Sequence, residues 1–221
     1  MTDNLEVLYE DNHLLVVNKP AGVLSQSDIT GDSSILDAGK AYLKEKYNKR
    51  GNVFLGCVHR LDRPVSGIIV MARTSKALSR LNQQFRSKEV KKTYQALTDH
   101  HPKPEQGQLV HYLVKDAKLN LVKTVNKGVP GSKEAVLMYR LVEKLIEGYL
   151  LEINPLTGRP HQIRVQLASL GCPIKGDLKY GSQTKKKDGN LALHAYQISF
   201  RHPVSHSWLT LTCPPAPHWY F

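Results

Sequence analysis

Residues 53–73 read VFLGCVHRLDRPVSGIIVMAR: an apolar run, a polar stretch holding one carboxylate, and a second apolar run. Within the central HRLDRPVSG (59–67), only Leu61 has the character of a core residue. Arg63-Pro64 followed by Ser66-Gly67 carries the residue types of a tight turn. The stretch therefore predicts two strands, at 53–59 and 67–73, with Asp62 at the turn between them. Arg60 and Arg63 flank that carboxylate, and adjacent cations favour its ionised form.

Outward from this hairpin, short apolar runs and period-2 alternation dominate. Strands are predicted at 5–10, 13–20, 91–98, 108–115, 119–125, 134–144, 147–154, 192–200 and 207–213. Helices are predicted at 33–47, behind a serine cap, and at 75–88, capped by Thr74 or Ser75, with Ala77, Leu78, Leu81 and Phe85 on one stripe. A third helix is predicted within TGRPHQIRVQLASLG (157–171). There Pro160 suits the first helical position, Ile163, Leu167 and Leu170 form a buried face, and Gly171 follows the last turn. Strands outnumber helices without a steady βαβ alternation, so the fold class is α+β. No repeat or linker-like shift in composition divides the chain, which reads as a single domain over 1–221.

The 221 residues carry 31 Lys and Arg against 19 Asp and Glu, a net charge of +12. Such an excess attracts polyanions, and nucleic acid is the natural partner, although charge that serves solubility alone gives the same composition. Cys57, Cys172 and Cys213 lie far apart with no CxxC, which fits a reducing compartment rather than a disulfide framework. The acidic start of the chain lacks the pattern of a signal peptide, and no apolar run is long enough to span a bilayer, so a cytoplasmic location is expected. Lys185-Lys186-Lys187 is the one low-complexity patch.

Asp62 can act as a base, a nucleophile or a ligand, or can anchor its own turn by hydrogen bonds. Tyr94, in an alternating strand beside Lys91 and Lys92, offers a ring and phosphate-binding charge, or is a half-buried strand tyrosine. Arg159, His161 and Arg164 gather at the start of the third helix, with His161 and Arg164 on neighbouring surface beside the apolar stripe. They suit an anion, whether phosphate or carboxylate, or form a solvated basic face. Asp62 and Asp177 can be imagined as the carboxylate pair of a glycosidase. His202 and His206 make a poor metal site, because Pro203 breaks the helix that would bring them together. Neither a Walker loop nor GxGxxG nor HExxH occurs, and no cofactor or metal is indicated.

Taken together, NKPAGVL (18–24), HRLDRPVSG (59–67), KKTYQAL (91–97), TGRPHQIRVQLASLGCPIKGDLKYG (157–181) and LHAYQISFRHP (193–203) resemble the RluA-type RNA pseudouridine synthases over essentially the whole chain. The resemblance implies the pseudouridine synthase fold: a mainly antiparallel mixed sheet with flanking helices and a central catalytic cleft. The family often carries an N-terminal S4 RNA-binding domain; this chain begins with the strands of the catalytic domain and so resembles a minimal member.

By the same resemblance, Asp62 is the catalytic aspartate, Tyr94 stacks on the target base, and Arg164 pairs with the aspartate. Arg60 fills the space left by the flipped nucleotide, and Leu167 is the apolar residue beneath the site. His59, Lys92, Arg159 and His161 join Arg60 and Leu167 as substrate-binding candidates, while Lys19 with Pro20 supports the core. Val65 replaces a commoner threonine, Pro160 a Thr or Ser, and SQSD (25–28) a Val-His pair in a segment near bound RNA. The implied activity isomerises uridines in ribosomal RNA, or transfer RNA, to pseudouridine without a cofactor, in a monomer that takes RNA as its partner. A non-catalytic RNA-binding module is the alternative.

Overall fold

The computed structural model describes residues 5–28, 31–186 and 189–220, and places eleven strands and three α-helices among them. Of the Lys185–Lys187 patch, Lys187 lies outside the described residues. The chain forms two compact units, Met1–Lys91 with Ala195–Pro215, and Lys92–His194 with Ala216–Phe221. The class is α+β, as expected.

In the first unit, β1 (Val7–Glu10), β2 (Leu14–Lys19), β4 (Ser66–Ala72) and β10 (Leu193–Arg201) lie in that order, with β3 (Gly56–Cys57) on β4 and β11 (Trp208–Thr212) on β10. The pairs β1–β2, β2–β4, β3–β4 and β10–β11 are antiparallel. The uninterrupted apolar runs of β2 and β4 have a direct cause, because both faces of the sheet are covered. Leu14, Val16, Ile68, Val70 and Ala72 point to one cluster, with Ala77 and Leu81 of α2 (Ser75–Arg86) and Ile198 and Phe200 of β10. Leu15, Val17, Ile69 and Met71 point to the other, with Ile35 and Leu43 of α1 (Ile35–Lys46). A strand buried on both sides has no solvent face for polar alternation.

The helix caps fall where the sequence predicts them. Ser34 and Asp37 form a reciprocal capping box on α1, and the Thr74 side chain accepts the Ala77 N–H on α2.

The predicted strand over 53–59 shrinks to two residues. Gly56 and Cys57 pair with β4, and Val58 donates to the Val70 carbonyl at 3.3 Å. The Val70 N–H is then taken by Nε2 of His59 at 3.1 Å, so a side chain replaces the backbone and the ladder ends.

The second unit orders its strands β5 (Lys91–Thr98), β9 (Gly148–Pro155), β8 (Lys133–Leu145), β6 (Gln106–Asp116) and β7 (Leu121–Val125), antiparallel at every pairing. Helix α3 (Gln162–Ser169) packs on β6 and β7, and Val165 joins Leu113, Val122 and Ala135 in a buried cluster. Its polar residues are docked to backbone. Gln162 donates to the Val136 carbonyl at 3.1 Å, and Gln166 donates to Leu109 and Ala135 at 3.1 and 3.2 Å.

Two expectations for this helix are corrected. Pro160 is not its first residue: His161 is the N-cap, in the left-handed region at φ 51°, and the helix starts at Gln162. The Gln162 side chain folds back so that its Oε1 accepts the Arg159 N–H and the Thr157 hydroxyl, which delays helix entry past the proline. Arg164 is not on a surface beside an apolar stripe. It is 6% exposed, and Gln162 through Leu167 are all buried. Gly171, at φ 79°, follows the last turn as predicted.

Candidate active site

Asp62 stands in the loop between β3 and β4, as the sequence predicts, and is half-buried. The loop is held by the segment that follows β2. Ser25 Oγ donates to the Leu61 carbonyl at 2.7 Å and accepts the Leu61 N–H at 2.9 Å, so one hydroxyl satisfies both backbone groups next to the aspartate. The Gly22 N–H donates to the Arg63 carbonyl at 2.8 Å, and Arg63 Nε returns a bond to the Gly22 carbonyl at 2.9 Å. The Asp62 carbonyl accepts the Val65 N–H at 3.0 Å and closes the turn.

At the other end Gly67, at φ 111°, admits the close approach of β10: a Cβ there would collide with the backbone of Ala195. Arg63, which flanks Asp62 in the sequence, sends Nη1 to Asp32 at 2.8 Å.

Lys19 lies under this loop with no exposed surface. Its ammonium donates to the carbonyls of Pro20, Val23 and Arg63 at 2.9, 2.7 and 3.2 Å, one acceptor for each N–H. Burial lowers its pKa to about 7; attraction to the Asp62 carboxylate raises it and repulsion from Arg63 lowers it. The ammonium thus ties the KPAGV segment to the aspartate loop and places a positive charge within electrostatic range of Asp62. Of the remaining candidates here, Arg60 is exposed, while His59 is half-buried with its ring stacked on Phe85, centroids 5.2 Å apart.

In the second unit Arg164 is fixed from two sides. Its Nε and Nη2 donate to Oδ2 and Oδ1 of Asp177 at 2.7 and 2.8 Å, and its guanidinium lies 5.0 Å from the centre of the Tyr180 ring. The Tyr180 hydroxyl accepts the Val122 N–H at 2.9 Å and lies 2.8 Å from His161 Nδ1. Arg164, His161, Asp177 and Tyr180 therefore form one connected cluster. Leu167 is fully buried on the same helix. Arg159 donates from Nε to the Glu134 carbonyl at 2.9 Å.

Tyr94 is half-buried on β5, opposite Ile153 of β9. Lys92, two residues earlier on the same face, has its pKa lowered by burial, and its Nζ lies near Gly158, where a Cβ would stand 3.8 Å away.

Sequence reading missed Asp177 as the counter-ion of Arg164, and Tyr180 as its aromatic partner. Both lie in GDLKYG (176–181), beyond the end of α3; a buried arginine requires a carboxylate, but nothing in the sequence marks Arg164 as buried. It also missed Ser25, whose anchoring of Leu61 has no local sequence signature. Among the described residues no group of three or more His, Cys, Asp or Glu side chains could hold a metal ion, and no helix is long and apolar enough to cross a membrane.

Comparison with known proteins defines the class. The sequence profile described as RNA pseudouridylate synthase matches residues 13–169, and the chain belongs to that family, whose members are isomerases converting uridine to pseudouridine. Among relatives, the dual-specificity RNA pseudouridine synthase RluA of Pasteurella multocida is 35% identical over 96% of this chain and 94% of that protein. The ribosomal large subunit pseudouridine synthase C of Vibrio cholerae is 35% identical over 96% of this chain and 66% of its own length. Among solved structures, human RNA pseudouridylate synthase domain containing 4 superposes with a TM-score of 0.80 at 26% identity, covering 97% of this chain and 90% of that one.

Proposed function

We propose that this chain isomerises uridines in ribosomal or transfer RNA to pseudouridine, with Asp62 as the catalytic carboxylate. The observation that carries the assignment is the anchoring of the 58–65 loop. Ser25, Gly22 and Lys19 fix its backbone, so the one acid in HRLDRPVSG stands at a defined place, with the Lys19 side chain bonded beneath the loop. A rigid support of this kind is what a reacting group needs and what a passive RNA-binding loop does not.

The reaction breaks the C1′–N1 bond, turns the uracil and joins C1′ to C5. N1 gains a proton and the hydrogen on C5 is lost to water. The carboxylate attacks C1′ or C6, or takes the C2′ proton. Tyr94 supplies the ring that stacks on the target base, and Arg164 the cation that pairs with the catalytic acid. Arg60 replaces the flipped nucleotide in its stack. His59, Lys92, Arg159 and His161 complete the substrate contacts, and Leu167, a candidate contact with no exposed surface, packs beneath the site. We further propose that both units work as one catalytic domain, in a cytoplasmic monomer; the absence of a CxxC or paired-cysteine framework in the sequence supports the reducing location.

Tritium release from C5-labelled uridine in bulk ribosomal and transfer RNA tests the function. Wild type should release label and Asp62→Asn should not, with RNA binding retained. Binding without release by the wild type would identify an RNA-binding module instead.

A further inference from the structure

The C-terminal half of α1 is unusually basic. Residues 40–52, KAYLKEKYNKRGN, hold five cations and one acid. A helix end attracts basic side chains through its dipole, which accounts for Lys44 and Lys46 in the last turn. It does not account for Lys40, a turn and a half earlier, or for Lys49 and Arg50 beyond the cap.

The backbone shows what these residues surround. Asn48, at φ 47°, sits in the left-handed region after the cap residue Tyr47. Its N–H donates to the Glu45 carbonyl at 3.1 Å, and the Lys49 N–H reaches the Lys44 carbonyl at 2.9 Å. This double bond pattern is a Schellman turn, which reverses the chain so that it runs back along the helix. Gly51, Asn52 and Val53 then face Lys40, Ala41 and Lys44 across an open depression of about 340 Å³.

Lys40 and Lys44 are one helical turn apart and project to the same side. Neither they nor Lys49 and Arg50 form a salt bridge among the described residues. The nearby Asp37 carboxylate is engaged by the hydroxyls of Ser27 and Ser34, both at 2.6 Å. Lys46, by contrast, is paired with Glu10 at 2.7 Å. The depression therefore combines the Lys40 and Lys44 ammonium groups, the first also within electrostatic range of Asp37, with the Asn52 amide and a side-chain-free floor at Gly51, and Lys49 and Arg50 follow the turn. That donor set fits a phosphate group, and the chain's net charge of +12 makes a polyanion the source.

We infer that the depression between α1 and residues 51–53 binds a backbone phosphate of RNA, as a second contact site outside the 58–65 loop. The identity of the polyanion as RNA rests on the proposed function; the site itself rests on the charge and shape of this face. Solvated lysines on a helix would share the charge but not the facing loop.

The probe is an RNA stem–loop built without uridine, which can offer phosphates but no target base. Its affinity for the full chain is measured from 50 to 200 mM salt, for wild type, Lys40→Gln/Lys44→Gln, Lys40→Arg/Lys44→Arg and Gly51→Asp. Loss of one phosphate contact lowers the log–log salt slope by about 0.7–0.9, so the ratio of wild-type to Gln-variant affinity should be about threefold larger at 50 mM than at 200 mM. The Arg variant should keep the wild-type slope. Gly51→Asp should weaken binding without disturbing the fold, because a Cβ there meets nothing within 4 Å.

An unchanged slope in the Gln variant, or unchanged affinity in folded Gly51→Asp, overturns the site and leaves the isomerase reading standing. A reduced slope in a chain that releases no tritium from labelled uridine upholds the site and removes the enzyme.

Discussion

Arg164 and Asp177 meet edge to edge, Nε to Oδ2 at 2.7 Å and Nη2 to Oδ1 at 2.8 Å, and both side chains are buried. The pair is separated by thirteen residues, and the turn after α3 brings it together: the Asp177 N–H donates to the Ile174 carbonyl, and the Asp177 carbonyl accepts from Tyr180 and Ser182. The carboxylate thus fixes both the charge balance and the orientation of the guanidinium. Replacing it by an amide keeps the shape but removes the carboxylate that holds both Nε and Nη2 of a buried cation, which costs about 3 kcal/mol. Asp177→Asn should lower the urea unfolding free energy by that order. It should also depress kcat for tritium release more than it raises KM, because Arg164 loses its aim. A variant within about 0.5 kcal/mol of wild type would show that Asp177 does not hold the arginine.

Ser25 offers a gentler test of the same principle at the aspartate loop. Its hydroxyl both donates to and accepts from the backbone of Leu61, inside a buried site. Ser25→Ala leaves one N–H and one carbonyl unpaired, a loss of about 2 kcal/mol. The loop should loosen before the fold does. Tritium release should fall by at least about tenfold at saturating RNA, with affinity for the uridine-free stem–loop retained. Full activity in the variant would mean that the loop is positioned without this anchor.

Most of the architecture was legible because it is written in local signals. Ser34 and Thr74 cap their helices, the LLVV and GIIVMA runs are strands, and Asp62 falls between β3 and β4 as HRLDRPVSG implies. What escaped depends on partners distant in sequence. Nothing near Arg164 announces that it is buried, because the acid that permits burial lies in the next turn. The bonds of Arg63 to Asp32 and to the Gly22 carbonyl have no signal in the residues beside it. Strand β3 reads as seven residues until His59 takes the Val70 N–H. For the two arginines the deciding partner lies outside the local segment, whereas β3 is ended by a side chain of its own predicted strand.

Gly67 closes the motif for a steric reason, and that is separately testable. Its φ of 111° is a conformation that L side chains rarely adopt, and the backbone of Ala195 occupies the space a Cβ would need. Gly67→Ala should destabilise the fold by about 3 kcal/mol or more through backbone strain and separation of β4 from β10. The loss should appear as a drop in the thermal midpoint. An unaltered midpoint would mean that β10 can move away at no cost.

Lys19 makes stability depend on pH with a definite sign. Its ammonium is ordinarily lost near 10.5, as it is in the unfolded chain, whereas burial brings it to about 7 in the folded one. Between those values the unfolded chain holds a proton that the native chain has released, so the free energy of unfolding rises with pH. The contribution is fullest above 10.5, declines as pH falls, and is gone by about 7. Lys19→Met removes the titration while keeping the length of the side chain. The stability of wild type relative to this variant should therefore increase from pH 7 to pH 9, by about 2 kcal/mol at one pKa unit per 1.36 kcal/mol. Urea unfolding of both chains at the two pH values measures it. A difference that stays flat would show that the carbonyls of Pro20, Val23 and Arg63 hold the ammonium charged, as their three hydrogen bonds are placed to do.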